Sequence, residues 1–352
     1  MVDVTPKPDR PRSRLAKWLA MSLPTLIGLL AVLALLIHQE RLVIDLRHGV
    51  VRFQSPPLYL EEPGHEQSGH RYLFDAKLGW KNIPNWKATT HGKTLTINSR
   101  GLRDREYDYE RTPGVPRMLV LGDSFTWGYG VSDEEIFTEV LEARLASDSR
   151  PWEVVNTGVS GWGTDQQYLY FRSEGVRYRP DVVVLAFYLN NDPLEISASA
   201  TYGMGKPYFM STNLGKPYPP GPPSGDERIR WLDERKPLKM AVALTGGILE
   251  QCRKIGARLV LMKFGVFGHE DNRLAKEFSD AYLLTVAKRF PEVAVVDLDA
   301  EFVERGLSHE QVFGGNKDMH WNAFGHRIVA EVLRANLETV GLPAASNPGA
   351  SL

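Results

Sequence analysis

Short apolar runs separated by amphipathic stretches dominate the sequence from residue 117 onward. The runs are rich in β-branched residues and lack polar–apolar alternation, which is typical of parallel strands covered on both faces. They predict strands at residues 118–121, 152–155, 181–187, 258–262 and 293–296. Helical periodicity in the intervening stretches predicts helices at residues 164–176, 238–254, 272–289 and 322–337, besides the helix described next. This alternation predicts an α/β protein, a doubly wound, three-layer α/β/α sandwich around a five-stranded parallel sheet.

The first helix of this series has a recognisable start. Glu135 follows Ser132 at the spacing of a capping box, in which each side chain bonds the other residue's backbone N–H. Apolar residues then recur on one helical face, at positions 136, 137, 140, 141 and 145. We therefore predict a helix that begins directly after Ser132.

Near the N-terminus, residues 18–37 form an apolar run of twenty positions without a charged side chain. A helix of that length, at about 1.5 Å per residue, spans the roughly 30 Å hydrocarbon layer of a membrane. Five basic residues precede it: Lys7, Arg10, Arg12, Arg14 and Lys17. This bias predicts a single-pass anchor with a cytoplasmic N-terminus and an extracytoplasmic, periplasmic remainder. The alternatives are a cleaved signal peptide, which the polar residues 38–40 disfavour, and a buried core helix.

The remaining composition shifts divide the chain into segments. Residues 40–69 are polar and contain three prolines, which is typical of a stalk, and short strand-like pieces with turns follow. The predicted segments are a cytoplasmic tail (1–17), a transmembrane anchor (18–38), a stalk (39–70), an N-terminal extension of short strands (71–116), an α/β catalytic domain (117–342) with an insert (201–236), and a C-terminal tail (343–352).

The composition excludes several classes of function. The 352 residues are 43% hydrophobic and 24% charged, the proportions of a folded protein. A net charge of −1 provides no field that attracts nucleic acid, so we expect no nucleic-acid partner. The single cysteine, Cys252, excludes an internal disulfide framework and a cysteine-based zinc cluster. The histidines show no metal-ligand spacing, so we predict neither a metal nor a cofactor.

Polar residues stand where the predicted strands end. The first three strands lead into residues 122–124, 160–163 and 190–192, and residues 318–322 precede the last helix. Because ligands of such sheets bind beyond the carboxyl ends of the strands, we expect these four blocks to converge. Together they supply a serine, glycines with accessible backbone N–H groups, an amide, a histidine and a carboxylate. Those are the components of an acyl-transfer site with a serine nucleophile.

The four blocks, in this order, resemble those of the SGNH/GDSL hydrolase family, over about residues 117–338. The four letters of SGNH correspond here to Ser124, Gly161, Asn191 and His320. The resemblance implies a flavodoxin-like arrangement of the five parallel strands and ester hydrolysis as the reaction.

The resemblance also implies a role for each residue. Ser124 is the nucleophile, His320 is the general base, and Asp318 orients the imidazole. The backbone N–H groups of Ser124 and Gly161 and the side-chain amide of Asn191 form the oxyanion hole.

Two positions depart from the common family pattern. Leu189 stands where many members have a glycine two residues before the oxyanion asparagine. Only Met319 separates Asp318 from the histidine, whereas the better-known block has two intervening residues. If Asp297 or Asp299 contacts the histidine instead, Asp318 is not the third member of the triad.

Other residues near the blocks allow two interpretations each. Trp127, Trp162 and Trp321 either line a sugar-binding cleft or pack in the core. Arg103 either reaches the site or, as the more common case, lies solvated at the surface. We interpret His326, inside the last helix, as a packing or surface histidine.

The insert contains Gly-Lys-Pro-Tyr twice, at residues 205–208 and 215–218, which indicates either a substrate lid or an edge hairpin.

These observations lead to a membrane-tethered serine esterase as the first hypothesis. Its substrate is an ester, for example an O-acetyl group on an envelope or secreted polysaccharide. The second hypothesis is an O-acyltransferase that uses the same residues to acylate a sugar hydroxyl. A third is a non-catalytic envelope-assembly module that has kept the fold.

Overall fold

The structure, a computed structural model, describes residues 26–31, 42–45, 50–53, 59–61, 71–90, 92–148, 151–220, 236–268, 273–313 and 319–339. The chain divides into two units, Met1–Leu58 and Tyr59–Leu352. In the first unit, residues 26–31 form the short helix α1. Strands β1 (Leu42–Asp45) and β2 (Val50–Phe53) pair antiparallel in the same unit.

The predicted membrane span, residues 18–37, lies outside the described residues except for α1. Among the helices that the structure describes, none combines the length and the apolar character that a membrane crossing requires.

The second unit opens with two small antiparallel sheets. Strands β3 (Tyr59–Glu61), β4 (Arg71–Asp75) and β5 (Gly79–Asn82) form the first. Strands β6 (Lys87–Thr90) and β7 (Lys93–Thr96) form a separate hairpin. Both belong largely to the predicted N-terminal extension, and we keep the name extension for residues 71–116.

Alternating strands and helices follow the extension. The strands are β8 (Arg117–Leu121), β9 (Glu153–Asn156), β10 (Val182–Tyr188), β11 (Ala200–Thr201), β12 (Met204–Gly205), β13 (Arg258–Phe264) and β14 (Ala294–Asp297). The helices are α2 (Ser124–Trp127), α3 (Phe137–Ser147), α4 (Thr164–Ser173), α5 (Asp192–Glu195), α6 (Lys236–Ile255), α7 (Arg273–Arg289), α8 (Leu298–Glu304), α9 (His309–Val312) and α10 (Ala323–Thr339). Short 3-10 turns occur at Asp133–Glu135 and Gly175–Tyr178.

The central sheet has five parallel strands in the order β14-β13-β10-β8-β9. Counted along the domain, this is the order 2-1-3-4-5 of a doubly wound, flavodoxin-like sheet, so the predicted α/β fold is confirmed. The middle strand β10 is buried along its whole length, as its continuous apolar sequence predicts.

Successive residues of the strands point to opposite faces and enter two separate apolar layers. Leu119 and Leu185 pack on one face with residues of α4, α6 and α7. Val120 and Val184 pack on the other face with residues of α3, α8 and α10. Both faces are therefore covered by helices, which makes the domain a three-layer sandwich.

The first helix starts later than the capping box predicts. The Glu135 carboxylate accepts a hydrogen bond from the Ser132 N–H at 2.9 Å, as the motif requires. The Ser132 hydroxyl, however, accepts the N–H of Thr94 from the extension at 3.4 Å. Ile136 is extended, with φ −67° and ψ 138°, so α3 begins only at Phe137. Residues 133–135 thus form a 3-10 turn where the local sequence predicts the first turn of the α-helix.

Candidate active site

The order of the strands reverses between β8 and β10, so the loops that leave these two strands diverge at their carboxyl ends. Such a switch point opens a crevice for ligands. The loop after β8 leads to Ser124, and the loop after β10 leads to Asn191. We call this side of the sheet the carboxyl edge.

Ser124 is the first residue of α2 and lies close to His320. The carboxylate of Asp123 caps α2 by accepting the Phe125 N–H at 3.0 Å, which fixes the turn that carries the serine. The Nε2 atom of His320 lies 2.7 Å from the Ser124 Oγ atom. The fold thus brings a serine hydroxyl and an imidazole from distant parts of the chain into direct hydrogen-bonding contact, the geometry that activates a serine nucleophile.

Aromatic side chains hold the His320 ring in this position. Its centroid lies 4.8 Å from that of Phe125 and 4.5 Å from that of Tyr129. The Phe125 ring in turn packs against Trp321 with a centroid distance of 4.8 Å. Because the ring is clamped between neighbours, it loses little orientational freedom when it accepts the serine proton.

The third member of the proposed triad, Asp318, lies outside the described residues and stays a prediction. The two alternative carboxylates have other partners. Asp299 accepts the N–H groups of residues 265–267 at 2.9 to 3.1 Å and pairs with Lys263. Asp297 caps α8 and also pairs with Lys263.

The amide of Asn191 points toward the nucleophile turn. Its Nδ2 atom lies 3.3 Å from the Asp123 carboxylate, 3.1 Å from the Glu195 carboxylate and 3.4 Å from the Tyr202 hydroxyl. These contacts connect the amide to the residue that precedes Ser124, so the structure places the predicted oxyanion asparagine beside the nucleophile. These contacts restrict the orientation of the amide, whose N–H groups face the Glu195 and Asp123 carboxylates.

The loop that carries Gly161 requires glycine and is supported by the extension. Gly161 has φ +75°, and a Cβ atom there would lie 2.9 Å from the Tyr202 ring. The indole N–H of Trp80 donates to the Ser160 carbonyl at 3.0 Å, and that of Trp162 donates to the Trp80 carbonyl at 2.9 Å. The reciprocal indole bonds fix the backbone that presents the Gly161 N–H.

Three buried carboxyl groups stand together behind the oxyanion asparagine. Burial, together with the charge of nearby Glu195, raises the pKa of Asp123 to about 8. Burial and the charge of Asp192 raise the pKa of Glu195 to about 8, and burial raises the pKa of Asp192 well above its ordinary value. Burial and mutual repulsion therefore favour the protonated forms of these carboxyl groups.

The sequence interpretation did not identify Glu195 and Tyr202. The only local signal for Glu195 is its position four residues after Asn191, which places both side chains on one face of α5. Tyr202 reaches the site through tertiary packing of the insert, for which the sequence contains no local signal.

The three tryptophans are buried packing residues. Trp127, Trp162 and Trp321 have exposed fractions of 4%, 1% and 1%, so they do not form the wall of an open sugar cleft. His326 is a buried packing residue as well: its Nδ1 atom accepts the Phe137 N–H at 3.2 Å, and burial lowers its pKa to about 3.

The expectation that Arg103 is solvated is wrong. The side chain is 2% exposed. Its guanidinium pairs with Asp133 and donates to the carbonyls of Gly128 and Val131 at 2.6 and 2.7 Å. These carbonyls follow α2, so the arginine fixes the segment behind the nucleophile helix rather than reaching the site itself. Five donors on one planar group suit this role.

The insert forms hairpins, but the two copies of its repeated motif have different environments. Tyr208 and Tyr218 pair as an antiparallel bridge, and their rings stack with centroids 5.1 Å apart. Lys206 of the first copy is fully buried and forms an ion pair with Asp165 of α4, whereas Lys216 of the second copy is exposed. The first copy thus anchors the insert beside the site.

Within the described ranges, no cluster of three or more histidine, cysteine, aspartate or glutamate side chains has the arrangement of a metal site.

Comparison with solved structures identifies similar folds. The chain is similar to TesA (17% identity, TM-score 0.44), with 64% of this chain and 99% of that chain covered. It is also similar to the lipase/acylhydrolase from Enterococcus faecalis (15% identity, TM-score 0.42; 64% and 96% covered). A two-domain esterase active on acetylated mannans, CEX, has 16% identity and a TM-score of 0.42, with 68% of this chain and 53% of that chain covered. No curated protein sequence matches the chain.

The family comparison covers the residues described above. The family model described as "GDSL-like Lipase/Acylhydrolase family" matches residues 120–328, more than half of the sequence. The match includes Ser124, Gly161, Asn191 and His320. The chain therefore belongs to the GDSL-like lipase/acylhydrolase family and is a carboxylic ester hydrolase.

Proposed function

We propose that the protein is a serine esterase in which Ser124 carries the acyl group between two half-reactions. The contact of 2.7 Å between the Ser124 hydroxyl and the His320 imidazole is the observation that carries this proposal. A serine hydroxyl is a poor nucleophile at neutral pH, and an adjacent neutral imidazole is the group that accepts its proton during attack.

In the first half-reaction, the Ser124 oxygen attacks the ester carbonyl carbon while its proton moves to Nε2 of His320. The carbonyl oxygen becomes an oxyanion that accepts hydrogen bonds from the Ser124 and Gly161 N–H groups and the Asn191 amide. Each such donor contributes about 3 kcal/mol to stabilisation of the transition state. His320 then protonates the departing alkoxide, and an acyl-serine remains.

In the second half-reaction, water attacks the acyl-serine and gives its proton to His320. The same oxyanion hole stabilises the second tetrahedral intermediate, and the serine leaves with a proton from His320. Asp318 is the proposed partner that keeps the imidazole in the tautomer with a free Nε2 lone pair.

The proposed substrate is an O-acetyl ester on an envelope or secreted polysaccharide. This part rests on the predicted location. The apolar run 18–37 with its basic flank favours a membrane anchor and an extracytoplasmic catalytic unit. Four apolar side chains in α1 (Leu26, Ile27, Leu29 and Leu30) are each more than half exposed, as expected of a surface that contacts lipid.

Labelling with a fluorophosphonate tests the nucleophile. We expect one adduct, on the peptide that contains Ser124, and no adduct in Ser124→Ala or His320→Ala. Ser147→Ala, which changes an exposed serine of α3, serves as the matched control and retains full labelling. A folded wild-type protein that is labelled at another residue, or that is not labelled, would contradict the assignment.

A product assay tests the substrate. Incubation with an acetylated polysaccharide should release free acetate at a rate that depends on Ser124. Acetate found instead on an added oligosaccharide acceptor would identify acyl transfer as the reaction.

Fractionation of expressing cells tests the location. We expect the full chain in the membrane fraction, extracted by detergent but not by carbonate, with residues after 40 accessible to protease from the periplasmic side. Recovery of the chain in the aqueous fraction would contradict the anchor.

A further inference from the structure

The loop that follows β9 makes a tight turn whose central peptide joins Ser160 to Gly161. The Trp162 N–H donates to the Val159 carbonyl at 3.1 Å, which closes the four-residue turn. Of its two central residues, only Gly161 has a positive φ, +75°. A positive φ at the third position alone identifies a type II turn.

The glycine permits this turn but does not impose it. Type I and type II turns differ by a rotation of the central peptide through roughly half a turn, and glycine adopts negative and positive φ about equally. A trans peptide points its C=O and N–H in opposite directions, so this rotation would reverse the direction of the Gly161 N–H. A contact from outside the turn can therefore select the orientation.

Trp80 supplies such a contact from the extension. Its indole N–H donates to the Ser160 carbonyl at 3.0 Å. The Trp80 side chain is fully buried, and its backbone is held in β5 by pairing with Phe74 of β4. The Trp80 carbonyl also accepts the Trp162 indole N–H at 2.9 Å. Rotation of the central peptide would therefore leave a buried indole N–H without its acceptor, which is unfavourable.

The loop that contains this turn lies directly against the nucleophile helix. A Cβ atom on Gly158 would collide with the backbone nitrogen of Trp127 in α2. The Val159 N–H donates to the carbonyl of Gly122, two residues before the nucleophile, at 3.3 Å. The turn that follows Val159 therefore starts beside the loop that carries Ser124.

Two backbone N–H groups in this region have no protein acceptor. In the part of the chain that the structure describes, neither the Ser124 N–H nor the Gly161 N–H donates a hydrogen bond. Gly161 also lies beside the Tyr202 ring, whose hydroxyl is 3.4 Å from the Asn191 amide nitrogen. Because the Ser160 carbonyl faces Trp80, the Gly161 N–H points away from Trp80 and is available to a ligand.

We propose that Trp80 is a positioning residue of the esterase, which keeps the Ser160–Gly161 peptide in the orientation that lets the Gly161 N–H donate to the oxyanion. The proposal rests on the esterase function above and names the residue of the extension on which its oxyanion hole depends. Trp80 acts through the peptide and does not contact the substrate. Its effect is therefore on the transition state, so kcat depends on it and KM does not.

The test measures hydrolysis of p-nitrophenyl acetate by the full-length protein and by Trp80→Phe. Phenylalanine keeps an aromatic ring but has no N–H donor, so the central peptide loses the bond that selects its orientation. We expect kcat to fall about tenfold or more, but by less than the roughly 10²- to 10³-fold that complete loss of an oxyanion donor causes. KM should stay within about twofold of the wild-type value.

Inhibition by trifluoroacetone gives a second measurement. Ser124 adds to its carbonyl carbon and forms a hemiketal that carries an oxyanion, as the transition state does. The inhibition constant for Trp80→Phe should therefore rise by the same factor by which kcat/KM falls.

Trp152→Phe is the matched control. Trp152 is 6% exposed and directly precedes the amino end of β9, away from the carboxyl edge. The same substitution there should lower the melting temperature through lost burial and leave kcat near the wild-type value.

A folded Trp80→Phe variant with wild-type kcat, a loss confined to KM, or an equal loss of kcat in Trp152→Phe overturns the positioning role and leaves the esterase intact. If Trp80→Phe does not fold, replacement of Trp80 by benzothienylalanine exchanges the ring N–H for sulfur at nearly constant shape, and the same expectations apply. Undiminished hydrolysis by Ser124→Ala would instead overturn the esterase function itself.

Discussion

The middle of the central sheet and its carboxyl edge are both buried, but they contain different kinds of side chain. Strand β10 buries seven apolar or aromatic residues between two layers of helices. A few residues later, the edge buries Asp192 and Glu195, and near them the ion pair of Lys206 with Asp165. Apolar burial stabilises the fold, whereas burial of carboxyl groups lowers stability unless hydrogen bonds compensate.

This difference separates the residues that maintain the fold from those that perform the chemistry. The middle of the sheet can lose a side chain and keep the geometry of the site in the molecules that remain folded. Loss of a polar side chain at the carboxyl edge should instead disturb the site, because these groups position the Asn191 amide and the nucleophile turn. Their burial lowers the stability of the fold. Such stability–activity trade-offs are common at active sites.

The largest effect is expected at the edge. Asn191→Ala removes one oxyanion donor and should lower kcat by about 10²- to 10³-fold, equivalent to about 3 to 4 kcal/mol, with little change in KM. Steady-state kinetics with p-nitrophenyl acetate would measure it. Asn213→Ala, an exposed asparagine of the insert, is the control and should leave kcat unchanged. If both variants behave like the wild type, Asn191 is not an oxyanion donor.

A second prediction concerns the middle of the sheet. Leu185 in β10 is fully buried, so Leu185→Ala should lower the free energy of unfolding by about 3 kcal/mol through lost burial and a residual cavity. Urea denaturation followed by circular dichroism measures this loss, and kcat per folded molecule should stay near the wild-type value. Leu284→Ala, at a leucine of α7 that is 71% exposed, should leave the unfolding free energy nearly unchanged. A large loss of kcat in folded Leu185→Ala would show that the middle of the sheet also determines the geometry of the site.

The third prediction is a pH dependence of stability, which is the smallest effect for a change of one pH unit. The pKa of Glu195 is raised to about 8 in the fold, above the ordinary value that it has in the unfolded chain. Between these values the folded state holds more protons, so stability is greatest below the unfolded pKa, falls as pH rises, and levels off above about pH 8.

Glu195→Gln removes this titration and should make the profile less steep, with a gain over the wild type that grows by up to about 1.4 kcal/mol per pH unit. Melting temperatures at pH 5 to 9 would measure the gain. Glu304→Gln, an exposed site on α8, should follow the wild-type curve. A constant difference between Glu195→Gln and wild type across this range would contradict the assignment of Glu195 as a proton-holding group.

The sheet was predictable from the sequence because strands that are buried on both faces require continuous runs of apolar residues. The run 181–187 contains almost only apolar residues, and it becomes β10 with a shift of one residue. The site blocks were predictable for a related reason: parallel strands end at the same edge, so polar residues that follow them must meet there. Ser124 and Asn191 lie at this edge for this reason, whereas His320 reaches Ser124 from the segment before α10.

The contacts that hold the site residues in place were not predictable, because they join segments that are distant in the sequence. Arg103 has an ordinary surface-like sequence environment, and only the folded chain surrounds it with the carbonyls behind α2. Tyr202 approaches Gly161 from a hairpin whose Lys206 is buried against Asp165. Pairwise contacts of this kind leave no periodicity in the sequence.

The indole bonds from Trp80 to Ser160 and from Trp162 to Trp80 determine where the protein can be shortened. The region that matches the family begins at residue 120, yet one of these indoles belongs to β5, well upstream of it. A fragment that begins just before β8 would keep the sheet and the serine but lose the Trp80 contacts with the loop that carries Gly161. Truncations designed for expression or engineering should therefore retain β4 and β5, because turnover depends on a segment that the family boundary excludes.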